Sequence, residues 1–294
     1  MRNFGIIPNK NKDKDLLYTN KLIDVLTSKN CNAIIQQENL DCIKHGNKNI
    51  KLQNTFKDVV SKSDLLISLG GDGSFLKLAR KIFVYQTPIV GINLGNLGFL
   101  ADIDGDNMPF YIDKIINEDF FIQKRMVLDI KVIRGNEVRA TDLALNDAVV
   151  TSSSRRKMIH LNTYVNETPL EYMPGDGIII ATPTGSTAYS LSAGGPLIEP
   201  DVEMMILTPI CPHNLHSRTC VFSSDRTIKI SLHKDFKTGG ILTTDGKNTI
   251  EITKEDTIYI KKSELFVNIL KLNSDNFFDI LREKIYNRDE RQKR

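Results

Sequence analysis

The segment Leu69-Gly70-Gly71-Asp72-Gly73-Ser74 sets three glycines around one carboxylate, between an apolar run and a helix-like one. Glycine lets a backbone turn sharply and bring its N–H groups close to a ligand. A helix starting on such a turn offers its N-terminal N–H groups and dipole to an anion, with Ser74 as the expected N-cap. Gly70, Gly71 and Gly73 therefore read as a phosphate loop. Asp72 is the unusual member, because a carboxylate beside a phosphate is repelled unless it holds a metal or faces a hydroxyl. A tight strand–helix turn with no ligand is the plain alternative. Asp72 tips the balance towards function.

Two further clusters carry polar chemistry. Asn146-Asp147 interrupts the apolar run LALNDAVV and suits either a turn or a ligand contact. Gly175-Asp176-Gly177 precedes the strand-like Ile178–Ala181, and then Thr182-Pro183-Thr184-Gly185-Ser186-Thr187-Ala188-Tyr189-Ser190 follows. Six hydroxyl side chains in nine residues suit a wall for sugar hydroxyls, phosphate or a nucleobase, with a serine- and threonine-rich loop as the alternative. Cys211, His213, His216 and Cys220 are chemically able to hold zinc, but their irregular spacing reads better as a loop. Other nucleotide signatures fail. There is no GxxxxGK[ST]; after Gly71 and Gly73 the third glycine of GxGxxG would fall at Leu76; and Gly91, Gly95 and Gly98 have the wrong spacing. A P-loop NTPase is excluded, and hydride transfer loses support.

The elements that must position these residues fall into two textures. Strand-like Asn3–Ile7, Ala33–Ile35, Asp64–Leu69 and Ile89–Ile92 alternate with helix-like Asp15–Lys29, Thr55–Lys62, Ser74–Tyr85 and Asn107–Asn117. This predicts a Rossmann-like parallel sheet with helices on both faces, the glycine loop lying at a strand's carboxyl end. After Phe120 short strands dominate: Met126–Ile133, Glu137–Leu143, Ala148–Thr151, Ile159–Val165, Ile178–Ala181, Val202–Leu207, Ile228–Leu232, Ile241–Thr244, Thr257–Ile260 and Phe266–Leu272. That is the pattern of an all-β sandwich. A helix over Phe277–Tyr286, with Phe278, Leu281 and Ile285 on one face, closes the chain.

Composition bounds the rest. The 294 residues suggest two domains, and 40% apolar with 26% charged residues is globular. The net charge of +3 lies wholly in residues 282–294, which read as a solvated tail and give no support to nucleic-acid binding. The N-terminus turns polar too early for a signal peptide, and no apolar run is long enough to cross a membrane. Four cysteines without CxxC spacing read as reduced thiols in a cytoplasmic protein.

Taken together, GGDG at 70–73, NLGFLAD at 96–102, ND at 146–147, DGIIIATPTGSTAYSLSAGGP at 176–196, PHNLHSR at 212–218 and DGK at 245–247 resemble the NAD kinase family. The 21-residue block is the specific part, since lipid kinases and phosphofructokinases carry similar glycine loops. The resemblance implies ATP-dependent phosphorylation of the 2′-hydroxyl of the adenosine ribose of NAD, with a divalent metal, Mg²⁺ by expectation; polyphosphate is the alternative donor. It implies an α/β domain over 1–119 and 266–294, and a β domain over 120–265 carrying most NAD contacts. It implies a homodimer or homotetramer in which a neighbouring subunit helps complete the site.

Carried over residue by residue, Asp72 is the catalytic carboxylate, with Gly73 beside it. Asn146, Asp147, Asp176 and the run Thr187, Ala188, Tyr189, Ser190, Leu191 and Ser192 bind the dinucleotide. Phe99 and Thr184 line the nucleotide pocket, Lys77 and Lys157 reach phosphates, and Lys247 is a weaker candidate. The chain departs from the family pattern at Asp147 (usually Glu), Ser74 (often Thr) and Lys247 (often Gln). A lipid kinase and a catalytically silent nucleotide sensor are the competing readings.

Overall fold

The structure is a computed structural model, described over residues 2–43, 48–95, 98–101, 103–154, 157–235, 238–272 and 276–286. In chain order the first part runs β1 (Asn3–Pro8), α1 (Leu17–Ser28), β2 (Asn32–Gln36), β3 (Ile50–Gln53), α2 (Phe56–Ser61), β4 (Leu65–Gly70), α3 (Asp72–Ile82), β5 (Ile89–Asn93), β6 (Ile103–Asp104) and α4 (Met108–Ile116). Then follow β7 (Phe121–Arg134), β8 (Glu137–Ala144), β9 (Asp147–Ser152), β10 (Ile159–Val165), β11 (Thr168–Gly175), β12 (Gly177–Ala181), α5 (Tyr189–Ser192), β13 (Met204–Ile210), β14 (Cys220–Ser223), β15 (Ile228–Leu232), β16 (Gly240–Thr244), β17 (Asn248–Ile252), β18 (Asp256–Lys271) and α6 (Asn276–Leu281). One turn of π-helix, Arg282–Tyr286, continues α6.

The chain divides into unit 1, residues 1–124 with 267–294, and unit 2, residues 125–266. Unit 1 is the α/β half. Its parallel sheet has the order β3-β2-β1-β4-β5, with β6 beside β5 and Ile269 of β18 paired to Ile89. β4 and β5 are buried along their whole length, which is why LLISLG and IVGIN read as unbroken apolar runs. α3 buries Phe75, Leu78, Ala79 and Ile82, one stripe at helical spacing, and this anchors the glycine loop ahead of it.

Unit 2 holds two antiparallel layers. One contains β11-β10-β15 and the first part of β18, with β7 paired to β18 and β8; the other has the order β14-β13-β12-β9-β16-β17. Leu128, Ile130, Val150, Leu161, Ile178, Ile180, Ile230 and Leu242 share the core between them. Val149, Ile179, Ala181 and Ile206 form a second apolar face covered by Ala193 and Ile198. β12 is therefore buried on both faces, as its Ile178-Ile179-Ile180 run requires.

Several sequence expectations change. α3 starts at Asp72 with Gly71 as N-cap, so Ser74 does not cap it; the Ser74 Oγ instead accepts from Asn9 Nδ2 at 2.7 Å. The two strands expected at Thr257–Ile260 and Phe266–Leu272 are one strand, β18. The strand expected at Met126–Ile133 is the longer β7, and the one expected at Val202–Leu207 is β13, which starts and ends later. The sequence does not predict β3, β11, β14, β17 or the two-residue β6. The last helix is α in its first six residues and π in the next five, and Phe278 is 55% exposed instead of facing a core. Asn96, Leu97 and Asp102 of the NLGFLAD motif, and residues 287–294 of the basic tail, lie outside the described residues.

Candidate active site

In unit 1 the Asp72 carboxylate is gripped by the backbone of the segment 98–101. Oδ2 accepts from Phe99 N at 2.9 Å, and Oδ1 accepts from Leu100 N and Ala101 N at 3.0 Å each. Three N–H donors on one carboxylate fix its rotamer. The segment can come this close because residue 98 is glycine: a Cβ there would lie 1.8 Å from Asp72 Oδ1. On the open side, Lys284 Nζ stands 3.8 Å from Oδ2 and 4.8 Å from the centre of the Phe99 ring.

Basic groups surround the loop. Lys12 Nζ lies 2.8 Å from where a Cβ on Gly71 would begin. Lys77, exposed on α3, lines a cavity of about 370 Å³ together with Asn9, Lys10, Phe56, Ser74 and Lys81. The cavity opens beside the carboxyl ends of β1 and β4, where ligands sit in open α/β sheets.

In unit 2 the polar residues gather where β9 begins. Asp245, on the turn between β16 and β17, accepts from the backbone N–H groups of Leu145, Asn146 and Asp147. Asn146 Oδ1 is buried with no hydrogen-bond partner among the described residues, an acceptor left for a ligand. Lys247 is exposed on the same turn.

The hydroxyl-rich run is stitched into this place instead of forming an open wall. Thr182 Oγ1 donates to Leu145 O at 2.5 Å and accepts from Gly185 N at 3.1 Å. Thr184 accepts from the buried Arg125 at 3.2 Å, Ser186 both donates to and accepts from the backbone of Ile198, and Thr187 donates to Thr184 O. Ser190 and Thr208 share a bond of 2.9 Å. Five of the six hydroxyls are thus spent internally. Tyr189, 45% exposed, with Thr187, Ala188, Leu191 and Ser192, is what the turn presents outward.

Gly185 makes the stitching possible. A Cβ at this position would meet Asn146 O at 2.1 Å and the carbonyl carbon at 2.6 Å, both backbone atoms with nowhere to go. Gly185→Ala is expected to cost about 3 kcal/mol, at the upper end for overpacking. Urea denaturation of the variant beside the parent checks this, and an unchanged midpoint contradicts it.

Asp147 is only 4% exposed. Burial, and then the nearby Asp245 carboxylate, push its pKa up to about 7. In the unfolded chain the same group ionises near pH 4, so between about pH 4 and 7 the folded state holds a proton that the unfolded state has lost. Stability therefore falls as pH rises through that window and the full cost is present above it, at most ~4 kcal/mol from this group. Asp147→Asn removes this dependence. The prediction is that the variant gains stability over the parent at pH 8 but not at pH 4, read by denaturation at both; an equal difference at both contradicts it.

Not every expected residue joins these clusters. β12 pairs Ala181 with Asp147 and Gly177 with Thr151, so Asp176 sits at the far end of the strand, about 17 Å from Ala181 at 3.3 Å per residue. Lys157 precedes Ile159, which pairs with Gly175, and lies at that same far end. Nothing in the sequence singles out Asp245 or Lys284: the DGK motif points to Lys247, and residue 284 falls in the stretch whose charge suggests a solvated tail.

Two family models match the chain: the ATP-NAD kinase N-terminal domain over residues 4–120 and the ATP-NAD kinase C-terminal domain over residues 145–272. An NAD kinase of Acetivibrio thermocellus is 43% identical over 293 residues, with all of both chains covered. An NAD kinase of Ruminiclostridium cellulolyticum is 39% identical, covering 99% of this chain and 100% of its own. Among solved structures, an Archaeoglobus fulgidus NAD kinase in complex with ATP aligns with a TM-score of 0.74 and 26% identity, covering 96% of this chain and 99% of its own. Yeast NADH kinase complexed with NADH aligns with a TM-score of 0.87 over 98% of this chain and 88% of its own; at 24% identity this is a likeness of fold.

Proposed function

The chain belongs to the NAD kinase family, and from that premise we propose that it transfers the γ-phosphate of ATP to the 2′-hydroxyl of the adenosine ribose of NAD, giving NADP and ADP. The observation that carries the reading is the grip on Asp72. Each carboxylate oxygen accepts two good hydrogen bonds; Oδ1 has both from Leu100 and Ala101, whereas Oδ2 has one from Phe99. The open position on Oδ2 is where the acceptor hydroxyl docks. Its oxygen forms the new bond to the γ-phosphorus as the bond from that phosphorus to the β–γ bridging oxygen breaks. ADP leaves with the bond's electron pair, and the hydroxyl proton passes to Oδ2. The protein's contribution is alignment and electrostatics, as phosphoryl transfer demands.

In this reading Asn146, through its unpartnered Oδ1, and Asp147 bind the dinucleotide, with Thr187, Ala188, Tyr189, Leu191 and Ser192 forming the presented edge. Lys77 and the cavity beside it serve the phosphates of the donor. No three His, Cys, Asp or Glu side chains converge among the described residues, and Asp72 Oδ1 is already saturated. These residues do not make a protein-held magnesium site. A divalent cation enters instead as part of the donor, coordinated by its triphosphate and water. Asp176 and Lys157, a strand's length from Asn146, serve a neighbouring subunit in a homodimer or homotetramer. No helix among the described residues is long and apolar enough to cross a membrane. We assign the enzyme to the cytoplasm on its four cysteines without CxxC spacing, which suit a reducing compartment.

The test is an acceptor panel with purified protein and ATP. Phosphate should pass to NAD and not to a diacylglycerol. Transfer to the lipid, or to neither, overturns the reading.

A further inference from the structure

We propose that Lys284 is a phosphate-contacting residue of the transfer site, carried back to the glycine loop by the C-terminal helical segment. The inference rests on the reading of Asp72 as the carboxylate that faces the acceptor hydroxyl. Lys284 Nζ stands 3.8 Å from Oδ2, the one oxygen of Asp72 with an open position. Its ammonium also sits over an aromatic ring. The ammonium lies 4.8 Å from the centre of the Phe99 ring, and Phe99 meets Phe277 at 6.3 Å between centroids. The segment 276–286 thus seats on the same stretch of backbone that grips the carboxylate.

The geometry is that of a cation held in reserve. At 3.8 Å no N–H of the ammonium is spent on Asp72, since a hydrogen bond needs about 3.2 Å or less. No other hydrogen-bond acceptor for Lys284 is present among the described residues. Three donors on a fixed positive charge therefore surround the place where a γ-phosphoryl group would meet the acceptor oxygen. Chemistry requires such a charge there. In-line transfer brings the equatorial phosphoryl oxygens close to a carboxylate, and a fixed cation offsets that repulsion and stabilises the charge of the transition state. Arg282, two residues earlier, does nothing comparable: it is 72% exposed and pairs with Asp279 at 3.3 Å.

The test uses the full chain with Lys284→Gln, Lys284→Met, Lys284→Arg and Lys284→Ala, each with its melting temperature recorded. Gln and Met are expected to lose about 10²-fold in kcat, the scale for one transition-state donor, with KM for NAD changed about threefold or less. Arg should recover most of the loss, and ethylamine should restore Lys284→Ala saturably. A packing role alone would show neither recovery. The assignment is overturned if Lys284→Gln turns over within about twofold of the parent, or if neither Arg nor the amine restores turnover. An inactive Asp72→Asn beside a fully active Lys284→Gln removes Lys284 only; a fully active Asp72→Asn removes the parent reading as well.

Discussion

Asp72→Asn should lose at least ~100-fold in kcat, the lower bound for removal of an acid–base group, while the protein remains folded. The amide has nearly the shape of the carboxylate, so the comparison isolates charge and proton affinity. It is not a silent change for the surrounding loop. The amide oxygen can still accept from Leu100 N and Ala101 N, but the NH₂ group then faces Phe99 N, donor against donor. One part-buried hydrogen bond is lost at a cost of about 1 kcal/mol. A modest fall in melting temperature should therefore accompany the loss of turnover. NAD affinity, measured by calorimetry on the variant, should fall far less than kcat. Parent-like turnover would take Asp72 out of the mechanism.

Gly98→Ala should be nearly as damaging, without removing a single polar atom. The new methyl would begin 1.8 Å from Asp72 Oδ1, 2.6 Å from its Cγ and 3.0 Å from Ala101 O. The backbone at Asp72 cannot retreat, because α3 behind it is held by Phe75, Leu78, Ala79 and Ile82 in the core. The carboxylate must swing out of its three N–H groups, or the segment 98–101 must lift off. Either movement exceeds 1 Å, and a misplacement of that size costs ~10²-fold in rate. The expected outcome is a kcat/KM reduced by about that factor in a protein that still unfolds cooperatively. Steady-state kinetics with NAD varied at saturating ATP decides it; values within about threefold of the parent would show that the grip is dispensable.

These two residues also mark how far the sequence could be read. The GGDG loop was legible because glycines between a buried apolar run and an amphipathic helix form a local pattern. What Asp72 touches was not, since its partners are backbone N–H groups of residues 99–101, which carry no side-chain signature. The α/β half was legible for the same reason as the loop: β1, β4 and β5 are buried parallel strands and read as apolar runs. Of the five strands missed, β3, β11, β14 and β17 are outermost in their layers, and β6 is a two-residue strand set beside β5. An edge strand has solvent on one side and tolerates Lys, Glu, Asn and Pro, so the apolar alternation that betrays a strand is diluted. β18 was split because Lys261-Lys262-Ser263-Glu264 breaks its alternation in mid-strand.

In unit 2 the ND and TPTGS motifs were found by composition, but their division of labour is tertiary. Thr182, Thr184, Ser186 and Ser190 look like ligand groups in the sequence and are structural in the fold. Asp245 looks like a turn former and organises the backbone of Asn146 and Asp147. Lys284 belongs to a segment whose charge balance suggests a solvated tail. Only the return of the chain to unit 1 brings it to Asp72.

In the proposed reaction a hydroxyl at one specific carbon of NAD receives the γ-phosphate of ATP. Its most direct measurement is phosphorus NMR of the product formed from ATP and NAD by the purified protein, paired with oxidation of a substrate by a strictly NADP-dependent dehydrogenase. One new phosphomonoester on the 2′ carbon of the adenosine ribose is expected, formed in equal amount to ADP and used by that dehydrogenase. ADP released without that phosphomonoester, or a phosphate found at another position, would contradict it.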